Sequence, residues 1–207
     1  MINAIRIHGH PLSGHAHRVS LFAALAGIAH EEVTIDLLAG EHKQAPFLKL
    51  NPAGQVPVIE DGETVVTDSN AILVYLAKKY APDWLPEAPE AAAAVQRWLT
   101  AAAGEVAFGA ATARLITVFG APLDADRALA VAASVNGKLE AHLAENDFLA
   151  GSRPTIADVA VYSYTAHGPE GNVDLSPYPN LRRWIAAVEA LPGFVAMQST
   201  SAGLVAA

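Results

Sequence analysis

The stretch Asn51 to Ser69, NPAGQVPVIEDGETVVTDS, constrains this chain most. It holds a β-type run, Val56-Pro57-Val58-Ile59, then Asp61-Gly62 as a two-residue turn, then Thr64-Val65-Val66, and so reads as a tight β-hairpin. A helix follows at once, apolar at Ile72, Leu73, Leu76 and Tyr80, with Lys78 and Lys79 in its last turn, where cations suit the negative end of the helix dipole. Asp68 and Ser69 therefore fall at its positive end. Pro57 has no N–H to give a ladder and belongs at the first position or outer edge of a strand. The main chain of Val56 is then left at a sheet edge, where an extended peptide can add itself by backbone pairing. An edge hairpin with a turn proline and an ordinary N-cap fits the same residues.

The elements around the hairpin extend this unit. Ile2 to His8 reads as a strand bounded by Gly9 and Pro11, and Ser13 can cap a helix with Val19, Phe22 and Leu25 on one face, ended by Gly27. A strand over Glu32 to Asp36, a polar loop around Gly40 to Lys43 and a short helix through Phe47, Leu48 and Leu50 complete the order β-α-β-α-β-β-α over residues 1–80. Residues 81–90, APDWLPEAPE, carry three prolines and read as a linker.

Strand signals mostly stop there, and residues 91–207 read as all-helical. Val95, Trp98, Leu99, Ala102, Val106, Ala110 and Ala113 form one helical stripe that Gly104 and Gly109 would bend. Asp124 and Asp126 open a helix with Leu129, Ala132, Asn136, Leu139 and Leu143. Thr155-Ile156-Ala157-Asp158 has the capping-box spacing, which makes Asp158 structural. Pro179 to Ala190 forms a last amphipathic helix around Leu181, Trp184, Ile185 and Val188.

Composition narrows the function. The net charge of −8 argues against nucleic acid or an anionic membrane as partner, since both need a basic footprint. No cysteine is present, so any thiol chemistry must use a thiol brought by the ligand. No basic leader or uninterrupted apolar run of membrane length appears, and a soluble, cytoplasmic protein is the expectation. His8-x-His10 lacks a third metal ligand, and no metal is expected.

The string GEHKQAPFLKLNPAGQVPVIEDG, followed by TDSNAILVYLAKKY, resembles the glutathione-binding half of the phi and theta-like cytosolic glutathione transferases. GHPLSGHAHRV resembles their active-site turn, with Ser13 five residues before Arg18, and places the chain beside the serine-type bacterial branch. The resemblance implies an α+β thioredoxin-like N-terminal domain (βαβαββα) followed by an all-α helical C-terminal domain, with a cis peptide before Pro57. It implies that Val56 pairs with the cysteinyl part of glutathione and that Asp68 and Ser69 hold the γ-glutamyl amine and carboxylate. His42, Lys43 and Gln55 would face the glycine carboxylate, and Ser13 would hydrogen-bond the sulfur. His15 stands where the phi-like pattern commonly has Asn, and a neutral ring could donate to the thiolate while a protonated one would make the rate pH-dependent. The absence of cysteine and of any tyrosine before Tyr75 disfavours the cysteine- and tyrosine-type branches.

Arg97, Glu105, Phe108, Thr112 and Arg114 lie on the long helix that such enzymes use to line the second-substrate pocket and dimer interface, with His10, Phe108 and Thr112 the nearest pocket candidates. The implied reaction is attack of the glutathione thiolate on a small hydrophobic electrophile by a homodimer, with glutathione as co-substrate. Peroxide or disulfide reduction, or a non-catalytic carrier or assembly role, would use the same binding residues.

Overall fold

Ile5 and Ile7 are buried on either side of exposed Arg6, the period-two pattern of a strand with a core face, and β1 (Ile5–Gly9) forms there. The computed structural model describes residues 4–206, so Ile2, the start of the first strand by sequence, lies outside the described residues. Ser13 caps α1 (Gly14–Leu25), and Gly27 follows the cap residue Ala26 at φ +65°, a region glycine enters without a Cβ clash. β2 (His30–Thr34) lies parallel to β1, two residues earlier than the sequence pattern placed it. Asp36 leaves the strand because its carboxylate accepts the N–H of Ala39 and turns the chain.

A 3₁₀ turn (Glu41–Lys43) and α2 (Ala45–Leu50) lead into the hairpin of β3 (Val58–Asp61) and β4 (Thr64–Thr67). β3 also pairs antiparallel with β1, which gives a four-stranded mixed sheet in the order β2-β1-β3-β4. The hairpin turn is one residue later than expected. Asp61 pairs with Thr64, so the loop residues are Gly62 and Glu63, and the positive φ of Gly62 suits the first central position of a type II′ turn. Asp61 stays in the strand because its carboxylate accepts from Tyr75 Oη at 2.8 Å, Lys79 Nζ at 2.7 Å and Tyr80 Oη at 2.7 Å. All three donors stand on α3 (Ser69–Tyr80), which is thereby fastened to the hairpin.

Val19 and Phe22 of α1 and Ile72, Leu73 and Leu76 of α3 are fully buried with Ile7 and Ile59 of the sheet. Each such side chain contributes roughly 1.5–3 kcal/mol by leaving water. Ile35, Phe47 and Val58 form a second cluster with Val33, Leu37, Leu50 and Val56. This is the thioredoxin-like unit. It runs to Leu85, inside the proline-rich stretch, and takes back Leu191–Gln198 from the far end of the chain. That return was not visible in composition, which assigned 191–198 to the helical part. It is made by His17 Nε2–H donating to Val195 O at 2.9 Å, by Gly193 against Ala24 and by buried Met197.

The helical unit holds Pro86–Ala190 and the residues from Ser199 onward. Its long helix consists of α4 (Pro89–Ala101), a wider π segment (Ala102–Ala111) and α5 (Thr112–Phe119). Gly104 and Gly109, expected as bend points, both lie in the π segment. Thr112 Oγ1 donates to Ala107 O at 2.9 Å across it. By length and apolarity alone this helix could cross a membrane, yet Val95, Trp98, Leu99, Ala102 and Val106 are buried as the core of the helical unit. α6 (Ala125–Leu143), α7 (Ile156–Ala166) and α8 (Pro179–Glu189) complete the unit. The capping box of α7 forms, and Asp158 also accepts from Leu149 N and Trp184 Nε1, both at 2.9 Å, a structural role as its spacing implied.

Candidate functional site

Four short segments of the first unit carry the residues singled out by sequence for glutathione and its sulfur: the start of α1, the Glu41–Lys43 turn, the loop before β3, and the start of α3. Ser13 ends a turn and opens α1, its Oγ accepting the Ala16 N–H at 3.3 Å. That contact uses a lone pair. Among the described residues nothing accepts the Ser13 hydroxyl proton, so the side chain caps the helix and still has a donor to offer.

Asp68 caps α3 by accepting from Asn70 N and Ala71 N at 3.0 and 2.9 Å. It does so at φ +68°, a region that costs a non-glycine residue of order 1–3 kcal/mol and that recurs where backbone geometry serves a site. Ser69 follows, only 5% exposed. Arg18, on α1 and 1% exposed, reaches across to donate from Nη1 to Ser69 Oγ at 2.8 Å and to Asn70 Oδ1 at 2.7 Å. His15 Nδ1 lies 3.4 Å from the same Ser69 Oγ. The two helix starts are thus joined by side chains, and each presents the positive end of a helix dipole.

The loop before β3 is shaped by Asn51, whose Nδ2 donates to Gln55 O at 2.7 Å while its Oδ1 accepts from Ala53 N at 3.1 Å. The Val56-Pro57 peptide is cis, and β3 begins directly after Pro57. Among the described residues no hydrogen bond engages the main chain of Val56. Because Val58 pairs with Thr67, the register carries Val56 toward Asp68 and Ser69 on the neighbouring strand's continuation. Lys43 Nζ donates to Ala53 O at 3.3 Å and Gly54 O at 2.9 Å, which draws the Glu41–Lys43 turn onto this loop. Gln55 is exposed, and the buried Nδ1 of His42 has no hydrogen-bond partner among the described residues.

The electrostatics settle one point that the sequence left open. Burial, then the Arg18 cation, push the His15 pKa down to about 3, against a smaller opposing pull from Asp68. His15 is therefore neutral at physiological pH. His8, the other half of the His8-x-His10 pair, is occupied by Glu60 Oε1 at 2.6 Å, while His10 Nδ1 accepts from Leu12 N at 3.2 Å.

Comparison with known proteins gives this arrangement a family. The profile "Glutathione S-transferase, N-terminal domain" matches residues 4–78, and "Glutathione S-transferase, C-terminal domain" matches residues 121–192. Glutathione S-transferase 3 of Zea mays is 35% identical over 205 residues, covering 92% of this chain and 91% of the relative. The chain belongs to the glutathione S-transferase family. The crystal structure of a glutathione S-transferase from Pseudomonas fluorescens superimposes with a TM-score of 0.90 at 28% identity, over 95% of this chain and 100% of that one. A glutathione transferase homologue from Drosophila mojavensis, solved with bound glutathione, matches with a TM-score of 0.83 at 27% identity, over 91% and 89% of the two chains.

In this family member the long-helix candidates divide. Phe108 is 69% exposed, whereas Thr112 is partly buried and spends its hydroxyl on Ala107 O. Arg114 is not a lining residue. Its side chain is buried in an ion pair with Glu170 at 2.9 Å, because the helix turns it into the core. Arg97 lies over the Trp98 ring and Glu105 pairs with Lys138, beside a groove of about 450 Å³ confined to the helical unit. Sequence reasoning passed over Asn51 and Arg18 as working parts. The Asn51-Pro52 pair is a turn signal that pointed to the first, but only the fold brings Arg18 to α3.

Proposed function

We propose that this protein binds glutathione in its first unit and transfers it, as the thiolate, to a small apolar electrophile. The observation that carries the reading is Val56, a main-chain donor and acceptor left unengaged among the described residues beside a helix start, where an extended peptide can pair. Val56 pairs with the cysteinyl segment, with Pro57 setting the direction of the loop. The Ser69 N–H and hydroxyl take the γ-glutamyl carboxylate and Asp68 takes its amine. The glycine carboxylate meets His42, Gln55 and the third ammonium proton of Lys43. Glutathione is a co-substrate here, and no metal takes part.

The thiol then lies at the start of α1, where Ser13 donates to sulfur. A free thiol near pKa 8.5 is about 3% ionised at pH 7, and lowering it to roughly 6.5 takes about 2.7 kcal/mol of preferential thiolate stabilisation. One hydrogen bond to a charged acceptor contributes about 1.5–3 kcal/mol and a helix N-terminus about 0.3–1. Neutral His15 is a second donor close by. Those contributions reach the required size without a general base, and the remaining gain comes from positioning.

Exposed Phe108 supplies apolar surface for the second substrate on the helical unit, and Thr112 and His10 are the further pocket candidates. From the family we also propose a cytoplasmic homodimer acting in detoxification. Peroxide or disulfide reduction would use the same thiolate. Steady-state turnover with a chloronitroaromatic and, separately, an alkyl hydroperoxide tests the reading: thioether product supports conjugation, glutathione disulfide supports reduction. Binding without either product would leave a carrier.

A further inference from the structure

Arg18 belongs to none of the roles assigned above, yet its buried guanidinium touches the first two residues of α3 and stands next to His15. One nitrogen, Nη1, donates to both Ser69 Oγ and Asn70 Oδ1. A fixed cation on one lone pair of Ser69 Oγ leaves that hydroxyl to direct its proton elsewhere, and His15 Nδ1 lies 3.4 Å away. The reverse arrangement would aim the N–H of His15, the positive end of its dipole, at the oxygen already bonded to a guanidinium. The lone pair of Nδ1 facing that side is electrostatically preferred.

We infer that Arg18 is a positioning residue that sets the Ser69 hydroxyl and, through it, holds His15 as the neutral tautomer protonated on Nε2. The chain Arg18, Ser69, His15 makes the ring a fixed uncharged donor rather than a titrating cation. Burial is the main influence that keeps the ring uncharged; the charged groups that act on it are Arg18 from its own helix, which adds to burial, and Asp68 from the cap of α3, which opposes it. The relay is a property of the ligand-free protein; on the transferase reading above, a bound γ-glutamyl carboxylate competes with His15 Nδ1 for the single Ser69 hydroxyl proton.

The test is long-range ¹H–¹⁵N correlation of histidine-labelled, ligand-free wild-type protein from pH 5 to 8, with a His15→Gln spectrum for assignment. The expected result is an Nε2-protonated neutral ring at every pH. An Nδ1-protonated ring, or imidazolium signals growing in below pH 6, would overturn the relay. Arg18→Lys, which keeps the cation, is expected to preserve the neutral ring. Arg18→Gln is expected to let the Nδ1-protonated tautomer grow in while burial keeps the ring neutral across the measured range, and a tautomer ratio unmoved by it would contradict the relay. If the glutamine variant does not fold, Ser69→Ala keeps Arg18 and removes only the bridging hydroxyl; a tautomer ratio unmoved by it contradicts the relay. Wild-type protein with the stated tautomer but no glutathione binding would sink the functional reading and leave the relay standing.

Discussion

Replacing Ser13 by alanine separates the two roles that the structure gives its hydroxyl. The Oγ accepts from Ala16 N at 3.3 Å, a long contact, so losing the cap should cost toward the low end of the usual range, about 0.5–1 kcal/mol of stability. The donated hydrogen bond to the bound thiolate is the larger loss, about 1.5–3 kcal/mol. At 1.36 kcal/mol per pKa unit this raises the bound thiol by about one to two units, from roughly 6.5 to about 7.6–8.7. The ionised fraction at pH 6.5 then falls from about half to below roughly a tenth, and the rate falls with it, partly offset because a more basic thiolate is a better nucleophile. Above about pH 9.5 both proteins hold a full thiolate and the gap should close. Ultraviolet thiolate absorbance of the glutathione complex and the pH profile of conjugation read this directly. A rate loss of equal size at every pH, or an unmoved thiol pKa, would refute the hydroxyl's role and leave Ser13 as a cap alone.

Asp61→Asn should lower stability by about 1–3 kcal/mol in urea unfolding, because the carboxylate serves three donors of α3. Burial alone would raise the Asp61 pKa, but Lys79, Tyr80 and Tyr75 outweigh it and hold it below the ordinary range. The unfolded chain therefore takes up that proton first as pH falls, and the variant should lose less stability below about pH 4 than the wild type. His15, at about 3 when folded against 6.5 in the free side chain, makes stability fall as pH drops through that window. His15→Asn should shrink the difference in unfolding midpoint between pH 7.5 and pH 5. Gly109→Ala should destabilise by about 1–3 kcal/mol although alanine is the better helix former, since its Cβ would meet Ala132 N at 2.7 Å. Gly104→Ala meets nothing within 4 Å and should stabilise by roughly 0.5–1 kcal/mol, and equal effects at the two glycines would refute the packing account.

Local chemistry made most of the first unit legible. The β-α-β-α-β-β-α order, the Ser13 cap, the α3 start at Asp68-Ser69 and the apolar faces of α1 and α3 follow from turn residues and periodicities that act within a few positions. What stayed hidden depends on partners distant in sequence. Asp61 belongs to a strand rather than a turn because Tyr75, Lys79 and Tyr80 converge on its carboxylate, and nothing within the hairpin announces that. Arg18 looked like one basic residue on a helix until α3 lay against it. Arg114, one of the residues on the long helix that such enzymes use for pocket and dimer interface, turns inward because Glu170, far along the chain, offers a buried carboxylate. The π segment shifts which residues face the core, and neither glycine within it signals that geometry on its own. The tail residues 191–198, LPGFVAMQ, are largely apolar but follow neither a helical nor a strand period, so nothing local declares which unit they join.

On the proposed reading, glutathione binds where Val56, Asp68 and Ser69 meet. Calorimetric titration of glutathione into the purified wild-type protein and into Ser69→Ala tests it most directly. Saturable binding to the wild type is expected, weakened roughly tenfold or more in the variant, as loss of about 1.4 kcal/mol or more from one charged-acceptor hydrogen bond requires. Absence of binding at millimolar glutathione, or the same affinity in both proteins, would contradict it.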